Sequence, residues 1–164
     1  MSKPQVQFID PKEFDRAAVE LKKPVFDAGA VARAEEALKA MSGSFQQWLD
    51  EEVTKLQAAR LACEASGWSG DAIEALFSAA HDVKGLGATY EFPLATQIAA
   101  SLCRLIETDA GRAVAAADPK LVLAHVDAIR AVVRDEVRTA DHPVGRVLTR
   151  ALEAQVAALG VAPR

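Results

Sequence analysis

The sequence predicts an all-α protein, an antiparallel up-down four-helix bundle with an additional helical segment at its N-terminal end. The chain has 164 residues, which is enough for one domain with a substantial core. Its composition is 51% hydrophobic but only 5% aromatic, and alanine is abundant, which favours packed helices over a sheet. Apolar residues recur every three or four positions along most of the chain, as expected for amphipathic helices.

This pattern divides the chain into three regions. Residues 1–26 mix prolines, charges and isolated apolar residues, and we expect an N-terminal arm with little regular structure. Residues 27–66 have a helical pattern and predict a segment that packs on the bundle, with the sequence SGS at 42–44 as a candidate break. Residues 71–160 predict the four-helix bundle, whose short connections favour antiparallel neighbours.

Capping residues and prolines mark where the four bundle helices begin. The start signals are a capping box of Asp71 with Glu74, then Pro93, then Asp118 with Pro119, and finally Asp141 with Pro143. The segment between Thr108 and Asp118 is expected to be a connection. The inward-facing residues predicted for the four helices are, in order, Ile73, Leu76, Ala80, Val83, Gly87 and Tyr90; Leu94, Ile98, Leu102, Leu105 and Ile106; Val122, Val126, Ile129, Val133 and Val137; and Val144, Val147, Leu148, Ala151, Leu152 and Val156.

Charge and hydropathy exclude several classes of function. The formal net charge of −4 and the pI near 5.4 disfavour nucleic-acid and anionic-membrane partners. No apolar run approaches the roughly 20 residues of a membrane span, and the N-terminal sequence lacks the apolar core of a secretory signal. Cys63 and Cys103 form no CxxC pair and fall within apolar patterns, so we expect buried, reduced thiols. These features predict a cytoplasmic protein.

The stretch AAHDVKGLGATYEFP, from Ala79 to Pro93, places two glycines inside a helical pattern. Each glycine costs roughly 1 kcal/mol relative to alanine, so we expect them where a side chain would obstruct something. At 100° per residue, His81 lies beside the buried stripe and partly exposed, with Lys84 and Gly85 one turn later. Gly85 would then leave the imidazole open to another protein, whereas Gly87 lies on the inward stripe and predicts close helix packing.

A histidine with a lysine three residues later suits the transfer of a phosphoryl group. A neutral imidazole nitrogen is a nucleophile, and a nearby ammonium attracts phosphoryl oxygens. The sequence AHDVKGLGA resembles the HxxKG signature of histidine phosphotransfer (HPt) domains. The resemblance covers roughly Asp71 to Gly160, and the segments PLATQIAASLCRLIE and HVDAIRAVV are also similar to helices of that family.

The resemblance implies a role for each matching residue. His81 would be the phosphorylated nucleophile, through Nε2, Lys84 would stabilise the phosphoryl group, and Gly85 would give steric access. Ala88 fits the small residue expected further along this flank, whereas Glu91 stands where many members carry a second glycine. The candidate docking surface consists of Phe77, Ser78, Leu86 and Ala88.

The implied function is that of a phosphocarrier without autonomous kinase or hydrolase activity. It would accept a phosphoryl group from a receiver-domain phospho-aspartate and pass it to another receiver in a phosphorelay. The expected partners are response-regulator receiver domains, with a hybrid histidine kinase left open as a further one. We expect no cofactor, since Mg²⁺ would belong to the receiver, and a monomer, although a dimer through the N-terminal helical segment stays open.

Other interpretations were weighed against this one. A metal enzyme is disfavoured because the chain has no HxxxH, HExxH or Cys/His cluster. Tyr90 breaks a GxGxxG pattern, which argues against a nucleotide loop. A fragment of a histidine kinase is disfavoured because the chain has no pattern for an ATP-binding α/β domain. A non-catalytic docking bundle stays open as the alternative, because fold alone does not establish chemistry.

Three further polar residues near the helices have structural interpretations. His125 is expected at the edge of the core with a hydrogen-bond partner, and His142 is expected to be a turn or cap residue. Asp82 points about 100° away from His81, so we expect it to be solvated and unpaired with the imidazole.

Overall fold

The computed structural model describes residues 27–161, except for the side chains of residues 42 and 43. Over this range every regular element is a helix, as the composition predicted. The arm predicted for residues 1–26 lies outside the described residues. The helices are α1 (Ala28–Ser66), α2 (Asp71–Leu86), α3 (Pro93–Ile106), α4 (Asp109–Ala117), α5 (Lys120–Arg134) and α6 (Pro143–Leu159).

The chain divides into two units between Leu38 and Lys39, so that the described residues are 27–38 in the first unit and 39–161 in the second. In the first unit, the described residues are all exposed, including the apolar side chains of Val31 and Leu38. The Oδ1 atom of Asp27 accepts a hydrogen bond from the backbone nitrogen of Gly29 at 3.0 Å, which satisfies one of the free N–H groups at the helix start.

In the second unit, α1 continues through the SGS sequence without the candidate break. Ser and Gly are tolerated in a helix interior when neighbouring residues supply enough stability. This part of α1 buries an apolar stripe that consists of Phe45, Leu49, Val53, Leu56 and Cys63. The helix ends as predicted at Gly67, whose φ of +68° is a conformation that favours glycine.

The start of α2 differs from the expected capping box. Gly70 is the N-cap and has no side-chain cap hydrogen bond, while Asp71 already lies in the first turn. The carboxylate of Glu74 instead forms an ion pair with Arg112 at the start of α4. The predicted stripe is otherwise confirmed, since Ile73, Leu76, Ala80, Val83 and Gly87 are buried and Tyr90 is half-buried.

Helix α4 occupies the segment that was predicted to be a connection. The Oγ1 atom of Thr108 accepts a hydrogen bond from the Gly111 nitrogen at 3.1 Å and donates one to the Val161 carbonyl at 2.7 Å. Gly111 packs against the Leu105 carbonyl so closely that a Cβ atom has no space. The prediction was wrong because the alanine-rich segment contains few large apolar residues, yet alanine favours helix.

The predicted N-caps of the last two helices are each one residue early, because Pro119 and not Asp118 is the N-cap of α5, and His142 and not Asp141 is the N-cap of α6. The Oδ1 atom of Asp118 accepts a hydrogen bond from the Lys120 nitrogen at 3.3 Å, beside Pro119. At α6, Pro143 lies in the first turn as expected, but the cap is His142, whose Nδ1 atom accepts from the Gly145 nitrogen at 3.1 Å. The expectation that His142 is a cap residue is confirmed.

The predicted inward faces are right for α3, right for most of α5, and partly wrong for α6. Helix α5 ends at Arg134, so Val137 lies half-buried beyond it. In α6, Val144 and Val147 are each 70% exposed and Ala151 is exposed, whereas Gly145 and Thr149 are buried with Leu152 and Val156. Gly145 allows close approach to Leu94, since a Cβ atom on Gly145 would collide with Leu94 Cδ1. Small residues therefore determine which face of α6 packs.

Helix α3 is the common neighbour of four other helices. It packs against α2, α4, α5 and α6, and α5 also packs against α4 and α6. Its buried residues occupy most of its circumference, which is expected for a helix surrounded by others. They are Leu94, Ala95, Ile98, Ala99, Ser101, Leu102, Cys103, Leu105 and Ile106.

Candidate functional site

His81 lies in the third turn of α2, on the side away from the buried stripe. The sequence predicted a partly exposed imidazole, and the side chain is exposed. Among the described residues it has no hydrogen-bond or ion-pair partner. The nearest ring is that of Phe77, one turn earlier, with the ring centroids 6.3 Å apart and the planes tilted by 32°. Neither ring nitrogen of His81 is therefore occupied by another residue of the described part of the chain.

Lys84 lies one turn after His81, in the last turn of α2, and is exposed. It makes no ion pair with a described residue. Its charge lowers the pKa of Cys103 on α3, although burial dominates and raises that pKa to about 11. The thiol of Cys103 is buried and free of a disulfide, as the sequence predicted, and its raised pKa keeps it un-ionised near neutral pH. Lys84 lies on the side of α2 that borders α3.

The two glycines of this segment have different surroundings. A Cβ atom built on Gly85 would meet nothing within 4 Å. The same atom on Gly87 would lie 2.7 Å from Thr96 Oγ1 and 3.1 Å from the Thr96 nitrogen. Packing within the protein therefore requires Gly87 to lack a side chain, as predicted, but does not require it of Gly85.

The four residues assigned to the docking surface differ in exposure. Ser78 and Ala88 are exposed, while Phe77 and Leu86 are half-buried. Phe77 and Ser78 lie one turn before His81, and Ala88 follows two turns after it. Leu86 is five residues from His81, about 140° around the helix, which places it on the other flank of α2.

A groove on the α1 side of α2 was not anticipated from the sequence. Its volume is about 500 Å³, and Ser78 and Asp82 form its edge on α2. Alanines of both helices form most of its floor, and their spacing of three and four on α1 is the signal that could have indicated it. The lining residues are Lys55, Ala58, Ala59, Ala62, Ala75, Ser78, Ala79 and Asp82.

Asp82 is exposed, as predicted, and is directed toward this groove. Lys55 on α1 donates a hydrogen bond to Glu52 at 2.7 Å, which raises the pKa of the lysine, and the charge of Asp82 adds a smaller contribution in the same direction. The carboxylate of Asp82 thus acts on the α1 side and makes no hydrogen bond to the imidazole of His81.

Glu91 has a backbone conformation that is typical of glycine. Its φ is +68°, in the left-handed region. Arg138 pairs with Glu91 Oε2 at 3.3 Å, and its guanidinium lies 4.7 Å from the centre of the Phe92 ring. The turn after α2 therefore keeps a glycine-type backbone at the position where the resemblance expected glycine.

His125 lies inside the core and not at its edge. It is 0% exposed; its Nδ1 atom is 2.7 Å from the Leu121 carbonyl and its Nε2 atom is 2.9 Å from Ser101 Oγ. These distances fit a neutral ring that donates from Nδ1 to the carbonyl and accepts at Nε2 from the hydroxyl. Burial lowers the pKa of His125, and the Leu121 hydrogen bond partly opposes this. The predicted hydrogen-bond partner is confirmed.

The described part of the chain offers neither a metal centre nor a membrane span. Within residues 27–161, no three His, Cys, Asp or Glu side chains are grouped so that they could hold a metal ion. No helix among the described residues is long and apolar enough to cross a membrane.

These features define an all-helical protein that presents an exposed histidine, with a lysine one turn later, on the surface of α2. The family model of the Hpt domain matches residues 40–142, more than half of the chain. The protein therefore belongs to the Hpt domain family. Neither the comparison with curated proteins nor that with solved structures gave a match.

The family match and the helices do not share the same limits. The match begins within α1 and ends at His142, so α6 lies outside it. Hpt domains carry out histidine phosphotransfer in phosphorelays, where they interact with receiver domains of response regulators.

Proposed function

We propose that this protein is a histidine phosphotransfer protein in which His81 carries the phosphoryl group. It accepts the group from the phospho-aspartate of a receiver domain and passes it to a second receiver. One observation carries the proposal: His81 is exposed and free of hydrogen-bond partners among the described residues, with Lys84 one turn later on the same helix. Both ring nitrogens of His125 and the Nδ1 atom of His142 are already used in hydrogen bonds within the fold.

In the proposed reaction, Nε2 of His81 attacks phosphorus in line with the bond to the aspartate oxygen. The N–P bond forms from the imidazole lone pair while the P–O bond breaks, and the aspartate leaves as a carboxylate. The ammonium of Lys84 is attracted to the phosphoryl oxygens. Transfer to the next receiver is the same reaction in reverse. The carrier requires no cofactor of its own, and any Mg²⁺ belongs to the receiver.

Gly85 keeps the approach to His81 open in this proposal. Since a Cβ at Gly85 would meet no described residue within 4 Å, the packing of the described fold does not explain why a glycine, which destabilises a helix, occurs there. A receiver must come within bonding distance of the imidazole, and this requirement explains the glycine. This argument supports the role that the family resemblance implies for Gly85.

The receiver would dock over the exposed side of α2, on Phe77, Ser78 and Ala88, whereas Leu86 lies on the other flank of the helix. The groove between α1 and α2 adjoins this surface at Ser78, and Phe77 adds an apolar contact beside the imidazole. A small apolar centre with charged residues around it is typical of transient interfaces. We further propose a cytoplasmic location and no autonomous kinase or hydrolase activity; a hybrid histidine kinase stays open as a partner.

The finer architecture is also part of the proposal. The connections at residues 87–92 and 135–142 are short, which supports antiparallel neighbours for α2 with α3 and for α5 with α6. With α3 packed against α2, α5 and α6, these four helices support the expected up-down bundle at residues 71–160, with the residue 27–66 segment as the additional helix.

Transfer from phosphorylated receiver domains tests this function. Wild-type protein should gain one phosphoryl group, seen by intact mass and lost in acid, whereas His81→Gln should gain none. His142→Asn is the matched control, because asparagine preserves a capping oxygen and His81 remains, so this variant should accept the group. If a broad panel of receivers transfers nothing to folded wild-type protein, the non-catalytic docking bundle becomes the better interpretation.

A further inference from the structure

The imidazole of His81 leans toward the N-terminal end of α2. Aromatic side chains in a helix take rotamers that point back along the chain, onto the residues three and four positions earlier. For His81 these residues are Ser78 and Phe77. The Phe77 ring is indeed the neighbouring ring, with the two centroids 6.3 Å apart. The buried His125 leans in the same way, since its Nδ1 atom lies 2.7 Å from the carbonyl of Leu121, four residues earlier.

The two ring nitrogens of His81 therefore have different surroundings. Nδ1 is bonded to Cγ and lies near the preceding turn of α2, whereas Nε2 lies at the tip of the exposed ring. In a neutral imidazole one nitrogen carries the proton and the other carries the free lone pair. Attack by Nε2 requires the tautomer in which the proton is on Nδ1. A hydrogen-bond acceptor beside Nδ1 would favour this tautomer.

Ser78 provides a hydroxyl in the turn that precedes His81. Its side chain is exposed, and the hydroxyl has no hydrogen-bond partner among the described residues. Residues three apart on a helix are neighbours, with about 5–6 Å between their Cβ atoms. A serine hydroxyl changes its position by rotation about one bond, and its oxygen accepts hydrogen bonds from N–H groups. Pairing of Ser78 with Nδ1 therefore requires side-chain rotation and no change in the backbone.

The other side chains of α2 within one turn of His81 do not fit this role. Lys84 carries an ammonium group, which donates hydrogen bonds and has no lone pair to accept one. Asp82 points about 100° away around the helix and lines the groove on the α1 side. The residues four positions before and after His81 have no polar side-chain atom. On this helix, Ser78 is the side chain that fits as the acceptor.

The helix itself gives no reason for a serine at position 78. Serine has a lower helix propensity than alanine, and three of the residues within one turn of Ser78 are alanines. The serine lies in the interior of α2, between Asp71 and Leu86, so it does not cap the helix. No hydrogen bond within the described fold explains its hydroxyl, which leaves a use at His81 or at the surface of a partner.

We propose that Ser78 is a positioning residue, which holds the proton of His81 on Nδ1 and so keeps the lone pair on Nε2. Its role in transfer rests on the proposed function. Before the reaction, Nδ1–H donates a hydrogen bond to Ser78 Oγ. As the Nε2–P bond forms and the P–O bond breaks, the aspartate leaves as a carboxylate and the ring becomes positively charged, with its proton still on Nδ1. The hydrogen bond then strengthens, because its donor is charged.

Transfer to the next receiver uses the same hydrogen bond. The aspartate oxygen of that receiver forms a bond to phosphorus while the Nε2–P bond breaks. Because the proton is on Nδ1, the ring leaves as a neutral imidazole, and its lone pair returns to Nε2. Ser78 therefore keeps His81 in the same tautomer before and after each transfer.

Nitrogen-15 NMR of the His81 ring tests the hydrogen bond in the isolated protein, without a receiver. The spectra are recorded at about pH 9, above the ordinary histidine range, and His81→Gln identifies the signals of this ring. Wild-type protein should carry the proton mainly on Nδ1. Ser78→Ala should shift the population toward the tautomer with the proton on Nε2, and Ser78→Thr, which keeps a hydroxyl, should restore it.

The rate of transfer from a phosphorylated receiver tests the role in the reaction. Ser78→Ala should lower the maximal rate about three- to tenfold, the effect of one hydrogen bond, and Ser78→Thr should restore it. The receiver concentration at half the maximal rate should not change, whereas loss of a docking contact would raise it. Thr54→Ala is the matched control and should behave like wild type, since Thr54 is exposed on α1 and its hydroxyl donates to the Asp50 carbonyl.

Three results would overturn the inference. The first is an equal distribution of the proton between the ring nitrogens in wild type and Ser78→Ala. The second is an unchanged maximal rate in Ser78→Ala. The third is a loss of transfer that appears only in the receiver concentration or that Ser78→Thr does not restore, which would assign Ser78 to the docking surface alone. If wild-type protein accepts no phosphoryl group, the proposed function fails and the role in transfer fails with it, while the NMR spectra still report on the hydrogen bond.

Discussion

His81 and His125 have the same side chain in opposite surroundings. His81 is exposed on α2 and has no hydrogen-bond partner among the described residues, whereas His125 is 0% exposed on α5. Both ring nitrogens of His125 are occupied, Nδ1 by the Leu121 carbonyl and Nε2 by the Ser101 hydroxyl. The difference separates a histidine that could react with another protein from one that completes the core.

The comparison shows what a transferable phosphoryl group demands of its surroundings. The attacking nitrogen needs a free lone pair and an open path to phosphorus. At His125 the lone pair of Nε2 accepts a hydrogen bond, and α3 covers the ring through Ser101. His81 is exposed and has no hydrogen-bond partner among the described residues, and Gly85 adds no side chain beside it.

The largest expected effect is on stability. His125→Ala should lower the free energy of unfolding by about 2–4 kcal/mol, because it leaves a cavity and an unpaired hydroxyl at Ser101. His81→Ala should change it by no more than about 0.5 kcal/mol, as is usual for an exposed side chain. Urea denaturation followed by circular dichroism measures both. An equal decrease in the free energy of unfolding for the two variants would contradict the conclusion that His125, and not His81, stabilises the core.

The next effect concerns the glycines that follow His81. Gly85→Ala should raise the free energy of unfolding by about 0.5–1 kcal/mol, because the methyl group enters open space and helix propensity improves. Gly87→Ala should lower it by about 1–3 kcal/mol, because the methyl group would collide with Thr96. Urea denaturation again measures both, and each variant serves as the control for the other.

Gly85 also allows the proposed phosphoryl transfer to be tested separately from stability. Gly85→Leu should slow phosphoryl acceptance more than tenfold, about 1.4 kcal/mol in activation free energy, without lowering stability. The measurement is the rate of transfer from a phosphorylated receiver, with Gly85→Ala as an intermediate case. An unchanged transfer rate in Gly85→Leu would show that steric access to His81 does not require a glycine at this position.

The sequence predicted the parts of the fold in which local signals agree. The stripes of α2 and α3 and most of that of α5 were recognisable because large apolar residues, caps and prolines indicated the same helices. The exposure of His81 followed from its position beside such a stripe. The HxxKG pattern identified the family, which the Hpt match over residues 40–142 confirms.

Several of the errors depend on contacts between residues distant in sequence. The packed face of α6 depends on Gly145 meeting Leu94, and its own pattern contains two apolar faces. The burial of His125 depends on Ser101, 24 residues away. Helix α4 has little apolar pattern, and Arg112 and Thr108 hold it through contacts to α2 and to the C-terminal end. The roles assigned to His81, Lys84, Gly85 and the residues of the docking surface stay predictions.

A smaller effect should appear in the pH dependence of stability. Burial lowers the pKa of His125 in the folded protein, so below the unfolded value of about 6.5 the unfolded chain binds a proton first. Stability is then fully present above that pH and decreases as the pH falls, by up to about 1.4 kcal/mol per unit. Denaturation of wild type and His125→Gln between pH 8 and about pH 5.5 measures this. The same slope in both proteins would exclude His125 as its source.

The smallest effect concerns the turn that ends the His81 helix. Glu91 has a φ of +68°, so Glu91→Gly should relieve about 1 kcal/mol of backbone strain. The same change removes the ion pair between Glu91 and Arg138. The side chain of Arg138 is 34% exposed and that of Glu91 is 60% exposed, so this ion pair contributes at most about 1 kcal/mol to stability. Glu91→Ala removes the ion pair and keeps the strain, so the difference between the two variants in urea denaturation isolates the backbone contribution. If alanine is as stable as glycine at this position, the left-handed backbone carries no strain, and the glycine that the family resemblance expects there has no conformational reason in this protein.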